Sequence, residues 1–267
     1  MSSEHKVHIQ AEFGERAEAY VASKDHVGGG DDLGRLLQWA EARTYRKILD
    51  VATGGGHTAL AFASVTRRVV AADLTVPMLR AARDFIREKG VENVTFVAGD
   101  VEGLPFKDES FDLVTCRIAP HHFADVPLAV REVTRVLKPS GSFLLVDILG
   151  HDDPELAAFI TEVERRRDPT HVRAYRKTEW KAFLLAAGLT VIEEAVVEKV
   201  REWDDWCSRT RVTAEAKADL EHLVRVAPAQ VLEAFAFRVE DGRILAFTDR
   251  MLLVRAEKTR PGAAPPR

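Results

Sequence analysis

The chain runs to 267 residues, enough for one large domain or two small ones at ~150 residues each. Apolar side chains make up 46% and charged ones 30%, which excludes a chain that stays mostly disordered. Lys and Arg total 38 against 42 Asp and Glu, a formal net charge of −4, so there is no basic surplus with which to hold nucleic acid.

In chain order, residues 8–22 read as an amphipathic helix with Ile9, Phe13, Ala17 and Tyr20 at helical spacing. Gly28 to Gly30 break it, and Asp31 or Asp32 caps a second helix that uses Leu33, Leu36, Leu37 and Ala40. Short apolar strands then alternate with helices. Strands are expected at 47–51, 67–73, 94–98, 111–116 and 142–149. Helices are expected at 57–65, 75–89 and 126–137, the last stopping at Pro139-Ser140-Gly141. Strands that are apolar nearly throughout belong to a parallel sheet buried on both faces, and right-handed crossovers make it doubly wound. Beyond 150 the spacing predicts helices over 153–166 and 178–187, a strand over 189–199 and a helical stretch over 202–232. A hairpin about Asp241-Gly242 follows, with strands near 234–240 and 243–256. The proline-rich tail 257–267 reads as disordered.

No apolar run approaches the ~20 residues needed to span a bilayer, and MSSEHKVHIQ has no signal-peptide core. Cys116 and Cys207 are too few for a metal cluster or a disulfide framework, and Cys116 is expected in the core. These features point to a cytoplasmic protein without stable membrane anchoring and with no metal.

Ligands of an open parallel sheet bind beyond the carboxyl ends of its strands. After the first strand comes Ala52-Thr53-Gly54-Gly55-Gly56-His57-Thr58-Ala59, where glycines allow a tight turn and close approach of a ligand to the main chain. Alone this is an ordinary strand-to-helix turn. Asp73 ends the second strand 73 − 54 = 19 positions on, where a carboxylate can accept from both ribose hydroxyls. The two features together indicate a nucleoside-containing cofactor, with NAD and S-adenosylmethionine both allowed. After the third strand, Asp100 can accept from an adenine amino group, between apolar neighbours.

Four segments, ILDVATGGG (48–56), AADLTVPML (71–79), AGDVEGLPFKDESFDLV (98–114) and REVTRVLKPSGSFLLVD (131–147), resemble class I S-adenosylmethionine-dependent methyltransferases. The similarity is to the ubiquinone/menaquinone-biosynthesis-like small-molecule branch (methyltransferase type 11). FGERAEAYVASKDHVGGGDDL (13–33) and the 168–187 segment look like that branch too. The resemblance implies a Rossmann-like, mostly parallel α/β sheet with one antiparallel strand. It implies a single domain over 1–256, with an N-terminal helical lid (1–45), a cofactor-binding core (46–150) and an acceptor-side half (151–256) carrying a helical cap insertion near 201–240. It also implies S-adenosylmethionine as cofactor and places Gly54 and Gly56 at its methionine part, Asp73 at the ribose, and Asp100 with Val101 at the adenine. Asp50, Ala52, Thr53, Leu74, Met78 and Arg117 complete that set. The family usually has glycine where this chain has Ala52, so the turn is expected to differ slightly.

After strand four comes Ile118-Ala119-Pro120-His121-His122-Phe123, and strand five carries Asp147. In the family's strand order these strands are neighbours. His121 and Asp147 then project from adjacent strand ends, as a base and the carboxylate that orients it, suited to deprotonating an alcohol or phenol during methyl transfer. The alternative is that His121 caps a helix entry or contacts the cofactor while Asp147 is structural. His122 is expected to pack under the loop. Tyr20, Ser23 and His26 on the N-terminal segment, and His171, Arg173 and Tyr175 on the loop 168–176, are candidates to line an acceptor pocket. Trp203 and Trp206 are expected to pack the cap. The expected activity is methylation of a small organic acceptor at oxygen. C-methylation of a quinone precursor and an NAD-dependent oxidoreductase are the alternatives, and a homo-oligomer stays open.

Overall fold

A computed structural model describes residues 2–22, 31–41 and 43–259. Five strands, β1 (Tyr45–Val51), β2 (Thr66–Asp73), β3 (Val94–Ala98), β4 (Phe111–Arg117) and β5 (Leu137–Ile148), pair in parallel in the order 3-2-1-4-5. The sheet continues through β8 (Arg243–Lys258) to β6 (Leu189–Glu202). β8 runs antiparallel to both its neighbours, and β7 (Arg238–Glu240) pairs with it in the hairpin about Asp241-Gly242.

The apolar strands are buried on both faces because consecutive residues serve opposite layers. Leu49, Val51, Val70 and Ala72 join one core, which packs against α6 (Val126–Val136) and α8 (Lys177–Ala186). Ile48, Val69 and Ala71 join the other, with α3 (Asp31–Glu41), α4 (His57–Ala63) and α5 (Val76–Glu88).

β6 and β8 are longer than the strands beside them. Past Met251, which pairs with the last residue of β5, they continue together as far as the Glu202–Ala246 pair. Because β6 runs parallel to the first five strands, this extension projects beyond the carboxyl edge, where ligands bind. There it meets α7 (Pro154–Arg167), α9 (Trp203–Arg209), α10 (Ala214–Arg225) and α11 (Ala229–Ala234) in a third apolar cluster containing Trp203, Trp206, Leu220 and Phe247. The cap therefore overhangs one half of the ligand edge.

Several boundaries differ from the sequence reading. The first helix begins earlier, as α1 (Ser2–Glu15), and is broken at Arg16 before α2 (Ala17–Ala22). The stretch 202–232 is three helices, not one. Pro139-Ser140-Gly141 is no break before β5, since Leu137 already pairs with Phe111 and the segment stays in the strand. The tail was placed too early: Glu257 and Lys258 pair with Ser142 and Leu189 within the sheet. Residues 260–267, like Ser23, His26 and Gly28 to Gly30, lie outside the described residues. No described helix is long and apolar enough to cross a membrane.

Candidate active site

The turn after β1 is built around two buried acids. Asp50 accepts from the Thr53 hydroxyl on one oxygen and from the Thr115 hydroxyl on the other, each at 2.6 Å. Burial pushes its pKa up to about 6 in spite of those bonds. Asp73 takes the Gly54 N–H on Oδ2 and the Thr75 N–H on Oδ1, each at 2.9 Å, and so ties the first turn to the second. Its burial also raises its pKa, against the backbone bonds that favour the charge. Ala52 stands at φ 50 and Gly54 at φ 54, so the position where the resemblance leads one to expect glycine holds a left-handed backbone with a side chain present. Gly55 permits a close crossing: a Cβ there would come within 3.1 Å of the Tyr20 carbonyl on α2.

A cleft of about 1000 Å³, open to solvent, lies over these turns. Asp50, Ala52, Thr53, Gly54, Asp73, Leu74, Met78, Asp100, Val101 and Arg117 all line it. Gly56 does not, and this corrects its placement at the cofactor. At φ 82 it caps α4, and its missing Cβ makes room for Ala82 and Ile86. Lys6, Ile9 and Phe13 of α1 and Tyr20 of α2 also line the cleft. Lys6 reaches Asp100 at 2.6 Å and Glu102 at 2.5 Å, and that pairing lifts its pKa although burial opposes it. Neither Lys6 nor Ile9 carried a motif that marked it.

The cleft suits an adenosyl amino acid. Asp73 and Asp100 are acceptors at two of its sides. Arg117 donates through Nε to the buried Asp32 at 2.7 Å, while its Nη2 is buried without a hydrogen-bond partner, a donor ready for a carboxylate. Ile118 follows at φ 54, which a β-branched residue adopts only under strain. Its position is fixed by its N–H bond to Val146 at 2.7 Å, and it lines both the cleft and the cavity beyond it.

That second cavity, of about 620 Å³, opens beside the cleft, under the cap. His121 lies on its wall, in a single 3-10 turn after β4, and donates through Nδ1 to Asp147 Oδ1 at 2.6 Å. Both residues are buried. Burial pulls the imidazole pKa down, but the charge and hydrogen bond of Asp147 outweigh it and leave the pKa above the ordinary 6.5. His122 points elsewhere. Its Nδ1 meets the Thr170 hydroxyl at 3.0 Å, its ring packs on Phe13, and burial beside His121 holds its pKa down to about 3. It is packed, as expected, yet it also lines both spaces.

The other acceptor candidates divide. Tyr20 lines both spaces. His171 is buried near His121, with ring centroids 5.3 Å apart, but lines a third cavity behind Glu164. Arg173 and Tyr175 line neither the cleft nor the cavity beside His121. The guanidinium lies on the Tyr175 ring and pairs with Glu179, and Tyr175 packs on Trp180 and Phe183. Their loop turns toward α8, which sequence spacing does not show. Trp206 packs the cap as expected and also walls the cavity. Glu164, Arg167, Arg201 and Arg209 reach the cavity from α7, β6 and α9 without any motif to announce them. Among the described residues no group of His, Cys, Asp and Glu is placed to hold a metal ion, and Cys116 is buried in the core.

A 3-2-1-4-5 sheet extended by an antiparallel strand, with a glycine turn and two acids over its carboxyl edge, defines a class I methyltransferase fold. A family profile described as a methyltransferase domain matches residues 49–145. The "uncharacterized methyltransferase YcgJ" of Bacillus subtilis (strain 168) is 38% identical over 92% of this chain and 97% of its own length. The solved structure of that protein superposes with a TM-score of 0.80, covering 86% of this chain and 99% of the other. A solved chain from Bacillus halodurans C-125 gives a TM-score of 0.84 at 42% identity, covering 86% of this chain and 100% of that one. The chain belongs to the class I S-adenosylmethionine-dependent methyltransferases. This assignment sets aside the nicotinamide alternative that the glycine turn and Asp73 had left open.

Proposed function

We propose that this enzyme transfers a methyl group to an oxygen of a small organic acceptor seated in the cavity beside His121, with His121 and Asp147 as the acid–base pair. The observation that carries the reading is the 2.6 Å bond between His121 Nδ1 and Asp147 Oδ1 on the cavity wall. S-adenosylmethionine, when bound, supplies a methyl group on a sulfonium, already activated for displacement. The protein must then align the acceptor and take its proton. Asp147 holds the proton on Nδ1, so Nε2 is the nitrogen left to receive one from the acceptor hydroxyl. With that methyl group in place, the acceptor hydroxyl would give its proton to His121 Nε2, and Asp147 would stabilise the imidazolium. Asp73, Asp100 and Arg117 are proposed to hold the ribose hydroxyls, the adenine amino group and the carboxylate, with α1 and α2 closing the cleft.

C-methylation stays as a second reading because of one comparison. The ubiquinone/menaquinone biosynthesis C-methyltransferase UbiE of Ectopseudomonas mendocina (strain ymp) is 37% identical over 53% of this chain and 58% of its own length. A phenol attacking through ring carbon also surrenders a proton to a base. The test is a screen of hydroxylated aromatics, sugars and quinols for S-adenosylhomocysteine release, with NMR of the product. An O–CH3 product with turnover lost in His121→Ala is expected. A C–CH3 product would overturn the oxygen assignment, and no turnover on any acceptor would overturn the enzyme reading.

A further inference from the structure

Glu164 is 3% exposed, and neither of its carboxylate oxygens has a hydrogen-bond partner. It lies on α7 in the wall of the cavity that holds His121, and it also faces the third cavity behind. Arg167 stands off from it at 3.5 Å and is turned to Trp206, over whose ring it lies at 4.4 Å and to whose carbonyl it donates at 3.4 Å, and the charges of Asp249, His121 and Arg201 also act on Glu164. Arg201, across the cavity, bonds to Asp249 at 2.8 Å. A buried carboxyl without hydrogen bonds is costly to the fold, and its place in the wall of the cavity that holds His121 indicates that a ligand group satisfies it.

Building on the proposed methyl transfer to oxygen, we propose that Glu164 reads a second hydroxyl on the acceptor, which makes the acceptor class dihydroxylated aromatic compounds. One hydroxyl meets His121 and is methylated, and the other meets Glu164.

Charge selects a hydroxyl over other groups. A cationic amine would face Arg167, Arg201 and Arg209 in the same small cavity, and an anionic group would face Glu164 itself. A hydroxyl is neutral and both donates and accepts, so it satisfies Glu164 whether or not the carboxyl is ionised. Burial raises the Glu164 pKa and so favours the neutral carboxyl. The walls suit a flat apolar body: Phe13, Tyr20 and Trp206 supply rings, and Ile118 and Ile148 supply aliphatic contact.

The test is calorimetric. Protein saturated with S-adenosylhomocysteine is titrated with catechol, resorcinol, hydroquinone, phenol and benzoate, as wild type, Glu164→Gln and Glu164→Leu. A hydrogen bond to a carboxylate predicts that at least one dihydroxybenzene binds about 10-fold or more tightly than phenol. Glu164→Leu should erase the preference for the second hydroxyl, read as the ratio of dihydroxybenzene to phenol affinity, a selectivity change that a purely structural residue would not produce. Glu164→Gln should keep part of it, and decides the matter if a melting curve shows that the leucine variant does not fold. The proposal is overturned if no dihydroxybenzene outbinds phenol, if the preference survives in the variants, or if benzoate binds most tightly, which would mark an anion site on the arginines. Absence of S-adenosylhomocysteine binding would instead be a failure of the underlying methyltransferase site.

Discussion

The cofactor cleft and the acceptor cavity share a wall at Ile118 but are built by different means. The floor of the cleft is assembled from the ends of β1, β2, β3 and β4 and the turns that follow them, with α1 and α2 laid over it, so most of its residues take their place from a strand end. The cavity is assembled from side chains of α7, β6 and α9 that meet only because β6 and β8 overrun the sheet and support a cap. The first is held by backbone hydrogen bonds to a few acids, such as those from Gly54 and Thr75 to Asp73. The second is held by apolar packing around Trp203 and Phe247, with buried charges at its edge. A site made of strand-end turns fixes one ligand, whereas a site made by a cap can change its ligand without disturbing the sheet.

If the two sites are separable, damage to one should spare the other. The largest effect is expected from His121→Ala. Removing a general base should lower turnover by ~10²–10⁴-fold, with S-adenosylhomocysteine affinity unchanged by calorimetry. A parallel loss of affinity would merge the two sites and move His121 to the cofactor set. Asp147→Asn should act in the same direction less severely, and the double variant should be no worse than His121→Ala, since the pair works as a unit.

The converse substitution is Asp73→Ala. Loss of the acceptor proposed for the ribose should weaken S-adenosylhomocysteine binding by ~10–100-fold. Melting temperature should fall as well, because Gly54 and Thr75 lose their bonds. Turnover at saturating cofactor should recover most of the wild-type rate, and failure to recover would show that the turn also shapes the acceptor side.

A pH profile sharpens the comparison further. The His121 pKa is raised above 6.5, so the neutral imidazole required of a base becomes available only as pH rises through that raised value. Turnover should climb through an inflection above 6.5 that His121→Ala abolishes, while cofactor affinity stays flat there. Stability carries the matching sign: the protonated pair stabilises the fold below 6.5, and that contribution is lost as pH rises through the folded-state pKa. A chemical-denaturation series at pH 6 and pH 9, wild type against Asp147→Asn, checks it.

The smallest effect is expected at Ala52. Its positive φ carries a strain of about 1–2 kcal/mol that glycine would not feel, partly offset by glycine's greater freedom in the unfolded chain. Ala52→Gly should therefore raise the melting temperature slightly or leave it unchanged, with cofactor affinity maintained. A clear fall would mean that the methyl group packs usefully against the apolar core it adjoins.

The sequence by itself determined the doubly wound sheet and the cofactor turns, while the adjacency of His121 and Asp147 came from the strand order that the resemblance implies. The reason is physical: strand burial, turn chemistry and strand-end position are local properties, written within a few residues of where they act. Even there, the assignment of Gly55 rather than Gly56 to the cleft needed three dimensions, because which glycine meets a ligand depends on how α2 and α5 pack over the turn. Only the tertiary structure decided that His122, packed as expected, also lines both the cleft and the cavity. It also placed Arg173 and Tyr175 outside the pocket and brought Glu164 and Arg201 into it. Those placements depend on where the cap lands when Trp203, Trp206 and Phe247 bury their rings together, and apolar burial, being non-directional, leaves no spacing in the sequence from which the landing could be read.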